Sequence, residues 1–212
     1  MFKCALFDID GTILASMGIW DDIFKAVIKI YNITDMSDEE IEHYKSISLT
    51  SSPAVMKEKH NLSASVEEIL ADVVRLAKEE YEYNIHAKPF CVEYIRKLYN
   101  EGIKIGIVTS GLPQLFELAF KRLGIDKYIS AVAYSAEVGV DKSNPDVYLL
   151  AAKRLNIDPV DCMVYEDIEK GIIGAQKANM QTTAVHDKWN EEETDKLKAR
   201  ADMYIRSWKE IL

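Results

Sequence analysis

The 212 residues carry 26 lysines and arginines against 35 aspartates and glutamates, a formal charge of −9, which excludes binding to nucleic acid through a basic overall field. With 48% hydrophobic and 29% charged residues, the chain can build a full core as one medium domain or a domain carrying an insertion. No apolar run reaches the ~18 residues of a membrane span, and the opening Met1-Phe2-Lys3-Cys4-Ala5-Leu6-Phe7-Asp8 meets an acid too early for a signal peptide. The expectation is an acidic cytoplasmic protein without a membrane partner, and Cys4, Cys91 and Cys162 read as small buried hydrophobes, since they lack the spacing of a zinc or redox motif.

In chain order, the first element is the short apolar run Lys3–Phe7, read as a buried strand. About ninety residues then pass before the next strand, where a βαβ unit needs only ~30. This gap is filled by helical stripes. Ile19, Trp20, Ile23, Phe24, Val27 and Ile28 form one; Val66, Ile69, Leu70, Val73, Ala77 and Tyr81 form another, with Ser63 or Ser65 as N-cap. They predict an all-helical domain at residues 15–88, inserted after the first strand, with its return near Ala87-Lys88-Pro89. Four more strands follow, at Lys104–Val108, Ala131–Tyr134, Cys162–Tyr165 and Thr182–Val185. Between them lie helical segments marked by Leu112, Leu115, Phe116, Ala119 and Leu123, by Val147, Leu150, Ala151 and Leu155, and by Ile172, Ala175 and Ala178. Ala201–Ile205 reads as a weak edge strand in a charged tail. Strand and helix alternating at this spacing predict an α/β fold, a doubly wound parallel sheet formed by residues 1–14 and 89–212.

Sites in such sheets collect at the carboxyl ends of the strands. There the sequence places Asp8-Ile9-Asp10-Gly11-Thr12, then Thr109-Ser110-Gly111, then Lys142 in the segment after the third strand, then Glu166-Asp167. Singly, each has a structural reading as a turn, a helix cap or a solvated loop. Together they offer one crevice carboxylates, hydroxyls and an ammonium, the parts of phosphoryl transfer. Asp8 and Asp10, two apart in extended chain, are expected on one side. Close carboxylates repel unless a cation separates them, and Mg²⁺ suits such a pocket. One carboxylate then serves as nucleophile and the other moves the proton. Gly11 permits a tight turn whose N–H groups, with Thr12, Ser110 and Gly111 nearby, suit phosphate oxygens, while Thr109 and Lys142 suit developing negative charge.

These motifs resemble the haloacid-dehalogenase superfamily, in the subgroup with a helical cap that includes β-phosphoglucomutase and many sugar-phosphate phosphatases. Phe7-Asp8-Ile9-Asp10-Gly11-Thr12-Ile13 resembles the first motif of that family, Ile105-Gly106-Ile107-Val108-Thr109-Ser110 the second, Lys142 with Pro145-Asp146 the third, and Val164-Tyr165-Glu166-Asp167 with Gly171 and Ala175 the fourth. The resemblance implies Asp8 as nucleophile and Asp10 as general acid/base. It implies Mg²⁺ held by Asp8, the Asp10 carbonyl and Asp167, with Glu166 in or near the metal's outer shell. Thr109 and Lys142 would hold the phosphoryl group under the cap. Four positions depart from the family pattern: Ala15-Ser16 replaces Asp-Ser, Pro89-Phe90 replaces Pro-Gly, Lys142-Ser143-Asn144-Pro145 replaces Lys-Pro-x-Pro, and Ile168 replaces a serine. The implied activity is Mg²⁺-dependent hydrolysis of a small phosphorylated metabolite of the sugar-phosphate kind through an aspartyl-phosphate. A hexose-phosphate mutase is the alternative. Thr12, Trp20, and Leu49 in the stretch Tyr44–Leu49 each stand where the mutase carries another residue, which favours hydrolysis.

Overall fold

The computed structural model describes residues 2–34, 36–46 and 51–212. Ile47, Ser48 and Leu49 of the stretch compared with the mutase loop therefore lie outside the described residues. The chain forms two compact units, Met1–Ala15 with Ile85–Leu212, and Ser16–Asn84.

The first unit is built on a parallel sheet. Its strands are β1 (Cys4–Phe7), β2 (Lys104–Thr109), β3 (Ile129–Tyr134), β4 (Cys162–Glu166), β5 (Gln181–Val185) and β6 (Met203–Ile205), and their spatial order is β3-β2-β1-β4-β5-β6. Every pairing is parallel. The connecting helices are α5 (Cys91–Asn100), α6 (Pro113–Leu123), α7 (Ser135–Val138), α8 (Asp146–Leu155), α9 (Glu169–Lys177) and α10 (Thr194–Arg200). The strands are nearly continuous apolar runs because both faces of the sheet are covered. Cys4 and Leu6 of β1 pack with Val147, Tyr148, Ala151 and Leu155 of α8 and Ala175 of α9. Phe7 points the other way, stacks on Tyr165 at 4.7 Å and meets Trp208 at 5.7 Å, while Tyr94 of α5 lies 5.3 Å from Trp208. The hydroxyls of Tyr94 and Tyr165 hydrogen-bond at 2.6 Å, so this aromatic block is buried without an unpaired phenol.

The strand order sets the site. The chain runs from β1 outward to β3, then crosses back to β4 on the other side of β1, so the crevice opens at the carboxyl ends of β1 and β4. Phe7 is in register with Tyr165, and the Asp8 N–H donates to the Tyr165 carbonyl at 3.0 Å. The next residues, Asp8 and Glu166, are thereby neighbours.

The helix α5 carries a buried stripe at Cys91, Tyr94, Ile95 and Leu98, a helical spacing that the sequence reading did not assign. Its N-cap, Phe90, has φ +67°. This is the position where the family pattern has glycine, and a side chain there carries left-handed strain of about 1–2 kcal/mol. The three cysteines are buried and free, and Cys4 is in register with Cys162.

The second unit contains α1 (Ile19–Ile30), α2 (Asp38–Ser46), α3 (Ser52–His60) and α4 (Val66–Glu79), followed by a π-turn at Glu80–Asn84. Between the two alternatives, Ser65 is the cap of α4: its Oγ accepts from the Glu68 N–H at 3.1 Å, and Glu68 Oε2 accepts from the Ser65 N–H at 2.7 Å. Within the first unit, the residues flanking this helical segment pair with each other. The Ala15 N–H donates to His86 at 3.0 Å and the Lys88 N–H to Ile13 at 2.8 Å. Among the described residues no helix is long and apolar enough to cross a membrane.

Candidate active site

At the end of β1 the chain turns at once. The carbonyl of Ile9 accepts from the amides of Thr12, Ile13 and Leu14, and the Gly11 N–H donates to Leu14 at 2.9 Å. Gly11 has φ +85°, and a Cβ on it would stand 2.1 Å from Asp167 Oδ2. Only glycine satisfies both the left-handed backbone and this close approach. Asp8 joins a carboxylate cluster, whereas the Asp10 carboxylate lies beside the second strand end: a Cβ on Gly111 would be 3.4 Å from Asp10 Oδ2 and 3.2 Å from Thr109 Oγ1.

The cluster consists of Asp8, Glu166 and Asp167, each offering a carboxylate oxygen within 4.8 Å of the others. All three are buried, Glu166 completely. Lys142 enters from the loop before α8 and is itself only 6% exposed. Its Nζ donates to Asp8 Oδ1 and, at 2.6 Å, to Glu166 Oε1. Glu166 Oε1 also accepts from the Tyr148 hydroxyl at 3.2 Å, and Oε2 from the Asp167 N–H at 3.2 Å. Asp167 is held at both oxygens, by Thr12 Oγ1 at 3.2 Å and by Asn190 Nδ2 at 2.6 Å. Two glycines of α9 make this closeness possible. A Cβ on Gly171 would meet the Glu166 carboxyl at 2.2 Å, and one on Gly174 would meet the Lys142 carbonyl at 1.9 Å.

The second strand end supplies Thr109, buried, whose Oγ1 accepts from the Gly111 N–H at 2.9 Å. Ser110 faces outward and shares a 2.9 Å hydrogen bond with Ser135 Oγ. The structure therefore brings Asp8, Lys142, Glu166, Asp167 and Thr12 into direct contact, sets Asp10 near Gly111, and pairs Ser110 with Ser135. Tyr148 and Asn190 were missed by sequence reasoning. Tyr148 lies outside the stripe of Val147, Leu150, Ala151 and Leu155 that marks its helix, and Asn190 lies in a charged tail without periodicity.

Two departures from the family pattern have local substitutes. In Lys142-Ser143-Asn144, Ser143 N–H and Asn144 Nδ2 donate to Asp141 Oδ1 at 3.0 and 3.2 Å, which shapes the lysine loop in place of a proline. Ile168 cannot cap α9, and the Glu169 N–H donates instead to Glu193 Oε2 at 2.8 Å.

The electrostatics follow from burial. Desolvation, opposed by Lys142 and reinforced by Asp8, raises the Glu166 carboxyl above its usual range. Desolvation and the charges of Asp8 and Glu166 raise Asp167 well above its own. Burial disfavours the Lys142 ammonium, yet Asp8 and Glu166 outweigh it and keep the lysine charged. One ammonium against three buried carboxylates leaves excess negative charge, and the donors are oxygens, as a hard divalent cation requires. The residues fit Mg²⁺: Asp8 and Asp167 would hold it, with Glu166 beside them and already engaged by Lys142.

Residues 5–185 match the family described as haloacid dehalogenase-like hydrolase. The glyceraldehyde 3-phosphate phosphatase of Methanopyrus kandleri is 29% identical over 87% of this chain and 84% of its own length. The pyrophosphatase PpaX of Oceanobacillus iheyensis is 26% identical over 99% and 95%. Among solved structures, CbbY from Rhodobacter sphaeroides in complex with phosphate superposes with a TM-score of 0.84 at 19% identity, covering 100% of this chain and 96% of that one. The β-phosphoglucomutase from Clostridium difficile superposes with a TM-score of 0.74 at 22% identity, covering 100% and 94%. The chain belongs to the haloacid dehalogenase-like hydrolase family.

Proposed function

We propose that this protein is a Mg²⁺-dependent phosphatase that hydrolyses a small phosphorylated metabolite, a sugar phosphate or a compound of similar size, through a phosphorylated Asp8. The observation that carries this reading is the pairing of a buried Asp8 with Lys142 inside a carboxylate cluster. Relatives named as phosphatases of glyceraldehyde 3-phosphate and of phosphorylated carbohydrates support the substrate class.

In the first step Asp8 Oδ attacks phosphorus, the P–O bond to the leaving group breaks, and Asp10 gives that oxygen a proton. In the second step Asp10 takes a proton from water, water oxygen attacks phosphorus, and the acyl-phosphate P–O bond breaks to release Asp8 and inorganic phosphate. Lys142 orients Asp8 through its hydrogen bond and balances charge on the phosphoryl oxygens. Thr109 contributes its hydroxyl as a donor beside them, with its Oγ1 held by the Gly111 N–H. Mg²⁺, when bound, neutralises the clustered carboxylates and polarises the phosphoryl group. The helical unit Ser16–Asn84 is inserted directly after this turn, and we assign it the recognition of the substrate's non-reacting part.

Net hydrolysis is favoured over phosphoryl transfer between sugar positions by Thr12 and Trp20, which stand where the mutase pattern has other residues. Asp8→Asn, assayed for phosphate release from a panel of phosphorylated metabolites with Mg²⁺, should abolish turnover with the fold intact. A variant retaining even a tenth of wild-type turnover overturns the reading. Glucose 6-phosphate formed from β-glucose 1-phosphate and glucose 1,6-bisphosphate, with little phosphate released, overturns hydrolysis in favour of the mutase.

A further inference from the structure

We propose that Asn190, in the loop after β5, is a positioning residue of the metal site. It holds Asp167 in the orientation that takes the divalent cation. This rests on the reading of Asp167 as a metal ligand.

Asn190 Nδ2 donates to Asp167 Oδ2 at 2.6 Å and lies 3.5 Å from the Asp167 carbonyl, while Thr12 Oγ1 donates to Oδ1 at 3.2 Å. Each carboxylate oxygen has two acceptor positions. Thr12 and Asn190 occupy one on each, fix the plane of the group, and leave the remaining positions for a cation. Asp167 is buried and its neighbours Asp8 and Glu166 are negative, so without these donors it would turn away from them.

The loop is built to present Asn190. Lys88 Nζ donates to the His186 carbonyl at 2.6 Å and pairs with Asp187 Oδ2 at 2.8 Å, in a largely buried ion pair. The other oxygen of Asp187, Oδ1, accepts from the Trp189 N–H at 2.9 Å and starts a 3₁₀ turn. The Asn190 N–H closes that turn on the Asp187 carbonyl at 3.1 Å, and its own φ of −114° breaks the helix there, which directs the side chain at Asp167. Asp187, three residues before Asn190, is thus the anchor of a short arm whose tip is a carboxamide.

Partners that orient metal-bound carboxylates typically change metal affinity 10–100-fold when removed. Asn190 is only partly buried, so its replacement leaves the fold intact. The test measures Mn²⁺ binding by the free-ion EPR signal, without substrate, for wild type, Asn190→Ala and Asp167→Asn, together with melting in chelator. The expected result is an affinity lowered at least about tenfold in Asn190→Ala with unchanged chelated melting, and binding lost in Asp167→Asn. Wild-type affinity in Asn190→Ala alongside loss in Asp167→Asn overturns the positioning role alone. Wild-type affinity in Asp167→Asn overturns the metal-ligand reading beneath it. A fall in chelated melting with unchanged affinity makes Asn190 a structural anchor and also overturns the proposal.

Discussion

Gly174→Ala separates what helix propensity demands from what the site demands. Gly174 lies inside α9, where alanine is the better helix former by ~1 kcal/mol. Propensity alone therefore makes the substitution stabilising. The structure removes that gain. The added Cβ would lie 1.9 Å from the Lys142 carbonyl and 2.7 Å from the Asn144 carbonyl, and contacts below 3.0 Å require movement, here 3.0 − 1.9 = 1.1 Å for Lys142. The loop resists that movement. Asp141 Oδ1 accepts from the Ser143 N–H at 3.0 Å, and Lys177 Nζ donates to the Ser143 carbonyl at 2.9 Å. Overpacking of this kind costs ~1–3 kcal/mol, so the net change is destabilising or close to neutral after the propensity gain. The catalytic effect is larger. A shift of about 1 Å in Lys142 disturbs its hydrogen bonds to Asp8 and Glu166, and misplacement on that scale costs ~100-fold in rate. Urea denaturation gives the first quantity and kcat/KM for phosphate release at saturating Mg²⁺ gives the second. A more stable Gly174→Ala with kcat/KM within about twofold of wild type refutes the claim that this close approach places Lys142.

The metal-free protein should become more stable as pH falls from neutrality toward the ordinary carboxylate range. Glu166 and Asp167 both titrate above their usual values, so the folded state binds more protons than the unfolded one in that window. Their favourable contribution is present below the unfolded values and lost as pH rises through the folded ones; melting in EDTA across ~pH 5–8 should show the slope, and Mg²⁺ should flatten it. Equal slopes with and without Mg²⁺ would contradict the charge argument. Ser65→Ala removes one side of the capping box of α4 and should destabilise the helical unit by ~1 kcal/mol, seen as lower melting at unchanged kcat per folded molecule. A loss of kcat at full stability would place Ser65 in the chemistry instead.

The sheet was readable in sequence because parallel strands covered on both faces are short apolar runs, and Cys4–Phe7, Lys104–Thr109 and Cys162–Glu166 keep that signature almost to the residue. The helix α5 was equally available in its Cys91, Tyr94, Ile95 and Leu98 spacing, yet it followed directly on Pro89 and went unassigned. At Pro89-Phe90 the departure from the family pattern became interpretable only in three dimensions, where Phe90 takes the left-handed conformation that a glycine adopts without strain.

Residue type at strand ends is local information, so Asp8, Thr109, Lys142, Glu166 and Asp167 could be singled out from the chain alone once the strands were placed. Which of them touch is not local. Strand order brings Glu166 beside Asp8 across 158 residues of sequence, and it aims Lys142 at both. The Asp10 carboxylate comes to lie near Gly111, just past the second strand. Asn190 and Tyr148 emerge only from the folded coordinates, because a hydrogen bond to a buried carboxylate is decided by the loop and helix that converge on it. No pattern in either segment records that convergence. Sequence by itself therefore determined the elements and the chemical inventory, through periodicity and residue type. Tertiary structure decided the pairing, burial and charge balance of the site, because these depend on distances between segments far apart in the chain.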